Sequence, residues 1–254
     1  MIAFTRTCLA TLFLLVFVLY KNYSFPKDKN SWYILVLAGL LNNAVPFFLI
    51  GWGQQYISSS TAAIMLSCGP FITLVLSHYT THDEKFSLLK LLSVLFGFLG
   101  VFVLLGGDIL NQRIDAIYGQ LAILLATAGY VSSGILIRKL KHVNVAVCST
   151  SMLLTAAIVM LPFVSIGEIV SVDFLGVSAL SLLYLAVFPT AFASLMRVEL
   201  VQRAGVQFMS QVAYLIPIFA IFWSWVFLSE LPSINAWLAL FLILLGLGVR
   251  RLEK

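Results

Sequence analysis

The stretch "IPIFAIFWSWVFLSELPSINAWLALFLILLGLGV" covers residues 216–249 and contains one charged residue, Glu230. Its second half includes "LALFLILLGLG" (238–248), which is apolar on every face. A transmembrane β-strand alternates apolar and polar residues, whereas a helix that crosses the hydrocarbon core needs about 20 apolar residues in a row. The stretch therefore predicts two transmembrane helices, separated by a short turn that carries Glu230.

The composition of the whole chain agrees with this interpretation. The chain has 254 residues, of which 61% are hydrophobic and 10% are charged, while soluble domains contain about 25% charged residues. So few charges cannot cover a water-facing surface of this size. The sequence therefore predicts an all-α, polytopic membrane helix bundle. Nine apolar runs of spanning length lie near residues 2–20, 32–51, 57–78, 87–106, 116–138, 146–166, 174–195, 207–229 and 232–250.

The basic residues predict how the bundle is oriented. When the loops are assigned alternately to the two sides of the membrane, the only lysine or arginine residues on one side are Arg6 and Arg113, and the other thirteen of the fifteen lie on the opposite side. Lysine and arginine are enriched in cytoplasmic loops. The basic side is therefore predicted to be cytoplasmic, and the C-terminus lies on it. Because the basic residues sit in short loops, the net charge of +5 does not indicate a nucleic-acid partner.

The two halves of the chain resemble each other at an offset of 147 residues, which becomes 146 towards the end of each half. The matched residues are Gln55 and Gln202, Pro70 and Pro217, Ser77 and Ser224, then Glu84 and Glu230, Ser87 and Ser233, and Gly100 and Gly246. Apolar segments align easily, so chance similarity is the alternative. The loop assignment puts Glu84 and Glu230 on opposite sides of the membrane, which predicts inverted repeats of the kind found in transporters.

Inversion requires an odd number of spans in each repeat. Residues 116–254 hold five spans and residues 1–107 hold four, and a partner for the 116–138 span would fall before Met1. We therefore expect two five-helix repeats, 1–107 and 116–254, with nine spans present and the first of ten missing from this sequence.

The sequence resembles the EamA-like branch of the drug/metabolite transporter superfamily. The resemblance rests on "IAFTRTCLATLFLLV" (2–16), "DEKFSLLKLLSVLFGFLGVFVLL" (83–105), "GQLAILLATAGYVSSGILIRK" (119–139) and the stretch from Arg203 to Val249. It implies ten helices in two inverted repeats, cytoplasmic termini and transport of a small metabolite. Members carry amino acids, nucleosides, sugars and other solutes, so the resemblance does not name one.

Polar side chains inside the spans are the candidate solute contacts, because they are costly in lipid and face a cavity or another helix. The candidates are Asn42, Asn43, Tyr130, Gln211 and Tyr214. The resemblance implies that the corresponding helices line a central cavity, where these groups would bind an uncharged or zwitterionic solute. The alternative is hydrogen bonding between helices, which polar residues in membranes also make.

Three further residues have predicted roles. Pro70 and Pro217 each remove a backbone hydrogen bond inside a span, which predicts a kink or hinge at both. Arg6 is the best candidate for an anionic group of a solute. The alternative for Arg6 is that its side chain extends to the membrane surface.

We therefore predict a transporter of a small organic or amino-acid-like solute that works by alternating access. The alternatives are a truncated, non-functional remnant and a membrane-embedded enzyme, although no nucleophile, metal or paired-carboxylate motif supports the latter. No cofactor or metal is predicted, because the three cysteines lack ligand spacing. The expected partners are the solute and the bilayer, with no nucleic acid, and a homodimer is compatible with the sequence. We expect a multi-pass protein of the cell membrane, in bacteria the inner membrane.

Overall fold

The computed structural model describes residues 2–80, 86–105, 116–163, 177–228 and 234–251. Within these ranges the backbone forms helices and short connections, and no strand occurs. In chain order the elements are α1 (Ile2–Tyr20), α2 (Lys29–Gly39), the π-helical segment π1 (Leu40–Ala44), α3 (Val45–Gly53), α4 (Ser59–Leu66), α5 (Gly69–Thr80), α6 (Leu88–Leu105), α7 (Ala116–Arg138), α8 (Val145–Met160) with a 3-10 turn (Leu161–Phe163), α9 (Val177–Ala186), the π-helical segment π2 (Val187–Phe192), α10 (Ala193–Ala204), α11 (Val206–Ser210), α12 (Val212–Leu228) and α13 (Ile234–Arg251). The predicted all-α helix bundle is confirmed.

Six helical stretches within the described ranges are long and apolar enough to cross a membrane, and all six begin or end close to predicted spans. They are Ile2–Tyr20, Lys29–Gly53, Thr61–Thr80, Ala116–Arg138, Val145–Phe163 and Ala179–Ala204. Two shorter apolar helices are Leu88–Leu104 and Ile234–Val249. Helix is present in each of the nine predicted ranges. The chain is therefore a multi-pass membrane protein.

Side-chain caps fix where several helices begin at the ends of the spans. The Asp28 carboxylate accepts a hydrogen bond of 2.7 Å from the backbone N–H of Ser31 at the start of α2. Hydrogen bonds from Ser31 also hold the pKa of the Asp28 carboxyl below its ordinary value. Ser58 caps α4 and Asn144 caps α8 in the same manner. These polar side chains satisfy backbone N–H groups that a helix leaves unpaired at its first turn.

The chain folds into two compact units, and each unit contains residues from both predicted repeats. Unit 1 comprises Met1–Phe47 and Ser132–Gly205, and unit 2 comprises Phe48–Val131 and Val206–Lys254. Helix α7 contributes to both: the Thr127 hydroxyl donates to the carbonyl oxygen of Met65 within unit 2, at 3.5 Å, and the Ser133 hydroxyl donates to that of Ala38 within unit 1, at 2.9 Å. The predicted repeats are therefore intervals of sequence and not separate globules.

Unit 1 is built on the contact between α1 and α8. Its buried apolar cluster contains Ala10, Leu14, Leu153, Ala186 and Ala191. Helix α2 and π1 pack on α8, whereas α9 and π2 pack on α1. The 147-residue offset relates α1 to α8, α2 to α9 and π1 to π2, so each repeat packs the same two elements on the equivalent helix of the other repeat, α8 or α1.

Unit 2 contains the reciprocal contact between α6 and α13. A Cβ atom at Gly100 would lie 2.8 Å from the carbonyl oxygen of Ala239, and one at Gly246 would lie 2.7 Å from that of Ser93. The offset of 146 residues makes Gly100 equivalent to Gly246 and Ser93 equivalent to Ala239. The two contacts are therefore the same contact made twice, as across a two-fold axis. Because the numbering rises along α6 as it falls along α13, the helices run antiparallel, which is the relation that inverted repeats require.

The span containing Pro70 is interrupted next to that proline. Helix α4 ends at Leu66 and α5 begins at Gly69. Pro70 has no N–H to donate to the carbonyl of Leu66, so the regular helical ladder stops in the preceding turn.

The equivalent span is interrupted at a different point. The break between α11 and α12 lies at Gln211, and Pro217 lies farther along, inside α12. The side chain of Pro217 and the residues Glu84 and Glu230 fall outside the described part of the chain. The hinge role of the two prolines stays a prediction.

We expect Gly246→Ala to lower the stability of the protein in detergent by about 1–3 kcal/mol, because the added methyl group meets backbone atoms that cannot move aside. Gly248 lies two residues farther along the same helix, and a Cβ there meets nothing within 4 Å. Gly248→Ala is therefore the matched control, and its thermal unfolding curve should overlay that of the native chain. Equal destabilisation by both substitutions would contradict the close α6–α13 contact.

Candidate functional site: the π-helical segments and the polar groups beside them

The first polar site is built on π1, where the helix of the second span widens for one turn. The N–H of Val45 donates to the carbonyl of Leu40, five residues earlier. The next residue, Pro46, has no N–H, so the turn before it cannot complete an α-helical ladder. Asn42 and Asn43 lie in this segment and are 6% and 5% exposed. The backbone irregularity therefore holds two carboxamides inside a membrane span, and single-turn π segments are frequent at functional sites.

The two asparagines form a relay with a fixed direction. Asn42 Nδ2 donates to Asn43 Oδ1 at 3.3 Å, and Asn43 Nδ2 lies 3.5 Å from the carbonyl oxygen of Gly39. A backbone carbonyl only accepts, so Asn43 must turn its NH₂ towards Gly39 and its oxygen towards Asn42. Asn42 must then present its own NH₂ to Asn43. The group left over is Asn42 Oδ1, which is buried and has no hydrogen-bond partner among the described residues.

A buried acceptor without a donor is costly, by about 1–3 kcal/mol. The relay cannot remove this cost by flipping its amides, because a flip would set two oxygens against each other at Gly39. The open end of the relay is therefore a place for an external hydrogen-bond donor, such as an N–H or O–H group.

The repeat-related segment π2 shows how a proline inside a span is satisfied by a neighbouring hydroxyl. Pro189 has no N–H to donate to the carbonyl of Leu185, and the Thr190 hydroxyl donates to that oxygen at 2.7 Å. At the 147-residue offset Thr190 is equivalent to Asn43, and Pro189 is equivalent to Asn42. One repeat thus closes its π segment internally, while the other leaves an acceptor open.

Arg6 on α1 is the charged group of unit 1 that contacts the same stretch of helix. Its guanidinium carbon lies 4.7 Å from the centre of the Phe47 ring, a cation–π contact. Its Nε is buried and has no hydrogen-bond partner among the described residues. Phe47 follows Asn43 by four residues on the continuous helix formed by π1 and α3, so both lie on one face.

Gln211 and Tyr214 lie together in unit 2, where both contact α6. Gln211 Nε2 donates to the Ser93 hydroxyl at 3.2 Å, and the Tyr214 hydroxyl donates to the carbonyl of Val94 at 3.1 Å. Tyr214 is 1% exposed, and its ring covers Gly97, where a Cβ would lie 2.5 Å from Cε2. Both are hydrogen bonds between helices, which was the alternative to solute binding in the sequence analysis. Solute binding by Gln211 and Tyr214 stays a prediction.

The remaining predicted residue, Tyr130, is a half-buried residue of α7 in unit 2. The structure therefore brings together Asn42 with Asn43, and Gln211 with Tyr214, each pair within its own unit. Sequence reasoning missed Phe47 and Thr190. The repeat offset itself could have found Thr190, because it is the mate of Asn43. In the described part of the chain no three metal-ligating side chains lie together.

Comparisons with known proteins agree with this architecture. The model of the EamA-like transporter family matches residues 1–106 and again residues 117–249. The uncharacterized transporter YoaV of Bacillus subtilis (strain 168) is 25% identical over 238 residues, which are 93% of this chain and 80% of that protein. A crystal structure described only as that of a protein superposes with a TM-score of 0.80 at 19% identity, covering 99% of this chain and 86% of the other; at this identity the likeness concerns the fold.

The helix bundle, its reciprocal repeat contacts and these matches define the class of the protein as an integral membrane transporter and not an enzyme. The chain belongs to the EamA-like transporter family.

We expect Thr190→Val to destabilise the protein by about 1–3 kcal/mol, because the Leu185 carbonyl then loses its donor in a span that also lacks the proline N–H. In a Pro189→Ala background the new backbone N–H can serve that carbonyl. There the same Thr190→Val change should cost much less. Equilibrium unfolding of the four chains in detergent measures the coupling. Identical losses in both backgrounds would show that the hydroxyl does not replace the missing N–H.

Proposed function

We propose that this transporter moves a small organic, amino-acid-like solute across the cell membrane by alternating access, and that π1 is part of its solute site. The single observation that carries the proposal is the open acceptor Asn42 Oδ1, buried inside a span of a transporter. A solute N–H or O–H would complete the relay that ends there. Asn43 would act by holding Asn42 in the required orientation.

We also keep Tyr130, Gln211 and Tyr214 as proposed solute contacts. For Gln211 and Tyr214 the proposal depends on their present hydrogen bonds. Gln211 and Tyr214 each use a donor on α6, at Ser93 and Val94. A solute that needs these donors would have to replace those bonds, so their part in binding as donors would belong to another conformation of the transport cycle.

The difference between the two repeats within unit 2 supports alternating access. The first repeat breaks its helix between Leu66 and Gly69, and the second breaks at Gln211. At the offset of 147, Gln211 is equivalent to Ile64, so the two breaks differ by about one helical turn. Inverted repeats can exchange their conformations, and the exchange opens the opposite side. Moving each break to the other repeat's position would be such an exchange, with Pro70 and Pro217 beside the moving turns.

We place the protein with its C-terminus in the cytoplasm, in bacteria at the inner membrane. The proposed partners are the bilayer and the small-molecule solute, without nucleic acid, and a homodimer is compatible with this function. The support is the distribution of lysine and arginine between the loops.

The solute proposal is tested by a screen of amino acids, nucleosides and sugars for uptake or export by cells that express the full chain. With the solute found, Asn42→Ala should raise the half-saturating concentration about tenfold, the effect of losing one hydrogen bond of about 1.4 kcal/mol. Membrane abundance should stay the same. Asn235→Ala, an exposed asparagine at the start of α13, is the control and should transport normally. Normal transport by Asn42→Ala would remove π1 from the solute site.

The orientation is tested by labelling with a membrane-impermeant maleimide in intact cells. The chain is first freed of Cys8, Cys68 and Cys148, and one cysteine is then placed at an exposed position. Gln54→Cys should react in intact cells, because its loop is predicted to face outwards. Lys27→Cys should react only after the membrane is opened, because its loop is basic and predicted to be cytoplasmic. Reaction of both positions in intact cells would contradict the proposed orientation.

A further inference from the structure

We propose that Arg6 is the binding group for a carboxylate of the transported solute, so that the substrate class is the zwitterionic amino acids. The inference rests on the proposed transport function and adds the chemistry that the solute must carry.

The first ground is the charge balance around Arg6. The elements with the most extensive packing against α1 are α8, α9 and π2, and none of them contains an aspartate or glutamate, nor does α1 itself. The helix that carries Phe47, α3, has none either. Arg6 therefore has no carboxylate partner among the described residues, although its Nε is buried. A partly buried cation without a counter-ion is costly in a membrane, and such residues mark functional sites.

The second ground is the kind of contact that Arg6 does make. The Phe47 ring, 4.7 Å from the guanidinium carbon, interacts with the positive charge and uses none of the N–H groups as hydrogen-bond donors. Arginine keeps its charge at any physiological pH and presents paired N–H groups that match the two oxygens of a carboxylate. The side chain is therefore held in place with its donors still to be used.

The third ground is the complementary group on the same stretch of helix. Phe47 shares a helix face with Asn43, and Asn43 fixes the orientation of Asn42, whose Oδ1 is an unpaired acceptor. Unit 1 thus offers unused N–H donors with positive charge next to Phe47 and an unused acceptor at Asn42 on the same stretch of helix. An amino acid carries the complements of both, a carboxylate and an ammonium group.

A lipid phosphate is the other anion that could meet Arg6, because the residue lies in the second turn of α1. The cation–π contact with Phe47 favours the solute, since it holds the guanidinium against the protein, whereas a side chain that reaches to the headgroups extends away from it. The experiment has an arm for each source.

The test uses the purified full chain in liposomes and measures flux of L-amino acids beside their carboxamides, which keep the ammonium group and side chain but lack the carboxylate. The native protein should prefer the acid over the amide. Arg6→Gln should lower acid transport about 10- to 100-fold, the range for a charge-assisted hydrogen bond, and leave amide transport unchanged. Arg6→Lys should keep part of the preference. The effect of Arg6→Gln should be the same in vesicles of phosphatidylcholine and of phosphatidylglycerol.

Lys21→Gln is the matched control, since Lys21 is an exposed cation 5.8 Å from the Tyr20 ring near the other end of α1. It should behave as the native chain. Three results would overturn the inference while transport itself stands: flux only of solutes without an acid group, equal loss of acid and amide in Arg6→Gln, or an effect confined to phosphatidylglycerol vesicles. If the native chain carries no solute in this panel or in the wider screen, the proposed function fails together with the inference.

Discussion

A backbone carbonyl inside the hydrocarbon core must find a donor within the protein, because the membrane offers no water to replace one. Prolines remove such donors, and three irregular parts of this transporter lie beside prolines. Pro46 follows π1, Pro189 lies within π2, and Pro70 follows the break between α4 and α5. At π2 the Thr190 hydroxyl supplies the missing donor to Leu185. At the widened and broken turns, polar side chains are needed to satisfy backbone carbonyls. A polar atom that is left over at such a turn would be available to a solute.

The two repeats make equivalent helix contacts within each unit. In unit 2 the glycines Gly100 and Gly246 let α6 and α13 approach until backbone meets backbone, and small residues permit this approach in membranes. The contact is made twice, once from each repeat, and it is antiparallel. In unit 1 the same relation places α2 on α8 and α9 on α1. The repeats differ in the position of the broken turn and in the chemistry of the π segments, so the symmetry between them is not exact.

Two sets of polar groups in the spans have different consequences. Gln211, Tyr214 and Thr190 donate to neighbouring helices or to their own backbone, so they stabilise the helix bundle in this conformation. Asn42 and Arg6 each bury an atom without a hydrogen-bond partner among the described residues. An unsatisfied buried acceptor and an unpaired cation both cost stability. In the proposed function, a solute would bring the missing donor and the missing negative charge.

The sequence by itself determined the all-α membrane class, the positions of the helices, the offset between the repeats and the family. Runs of apolar residues and breaker residues carry this information locally, since every span must satisfy its own backbone. It also nominated Asn42 and Asn43, because a polar side chain in a span is conspicuous. Only the tertiary structure decided that π1 leaves the Asn42 oxygen open while Ser93 and Val94 engage Gln211 and Tyr214. A helix that is apolar on every face does not reveal which neighbour it will meet, so the partner of each polar atom is fixed only when the helices pack.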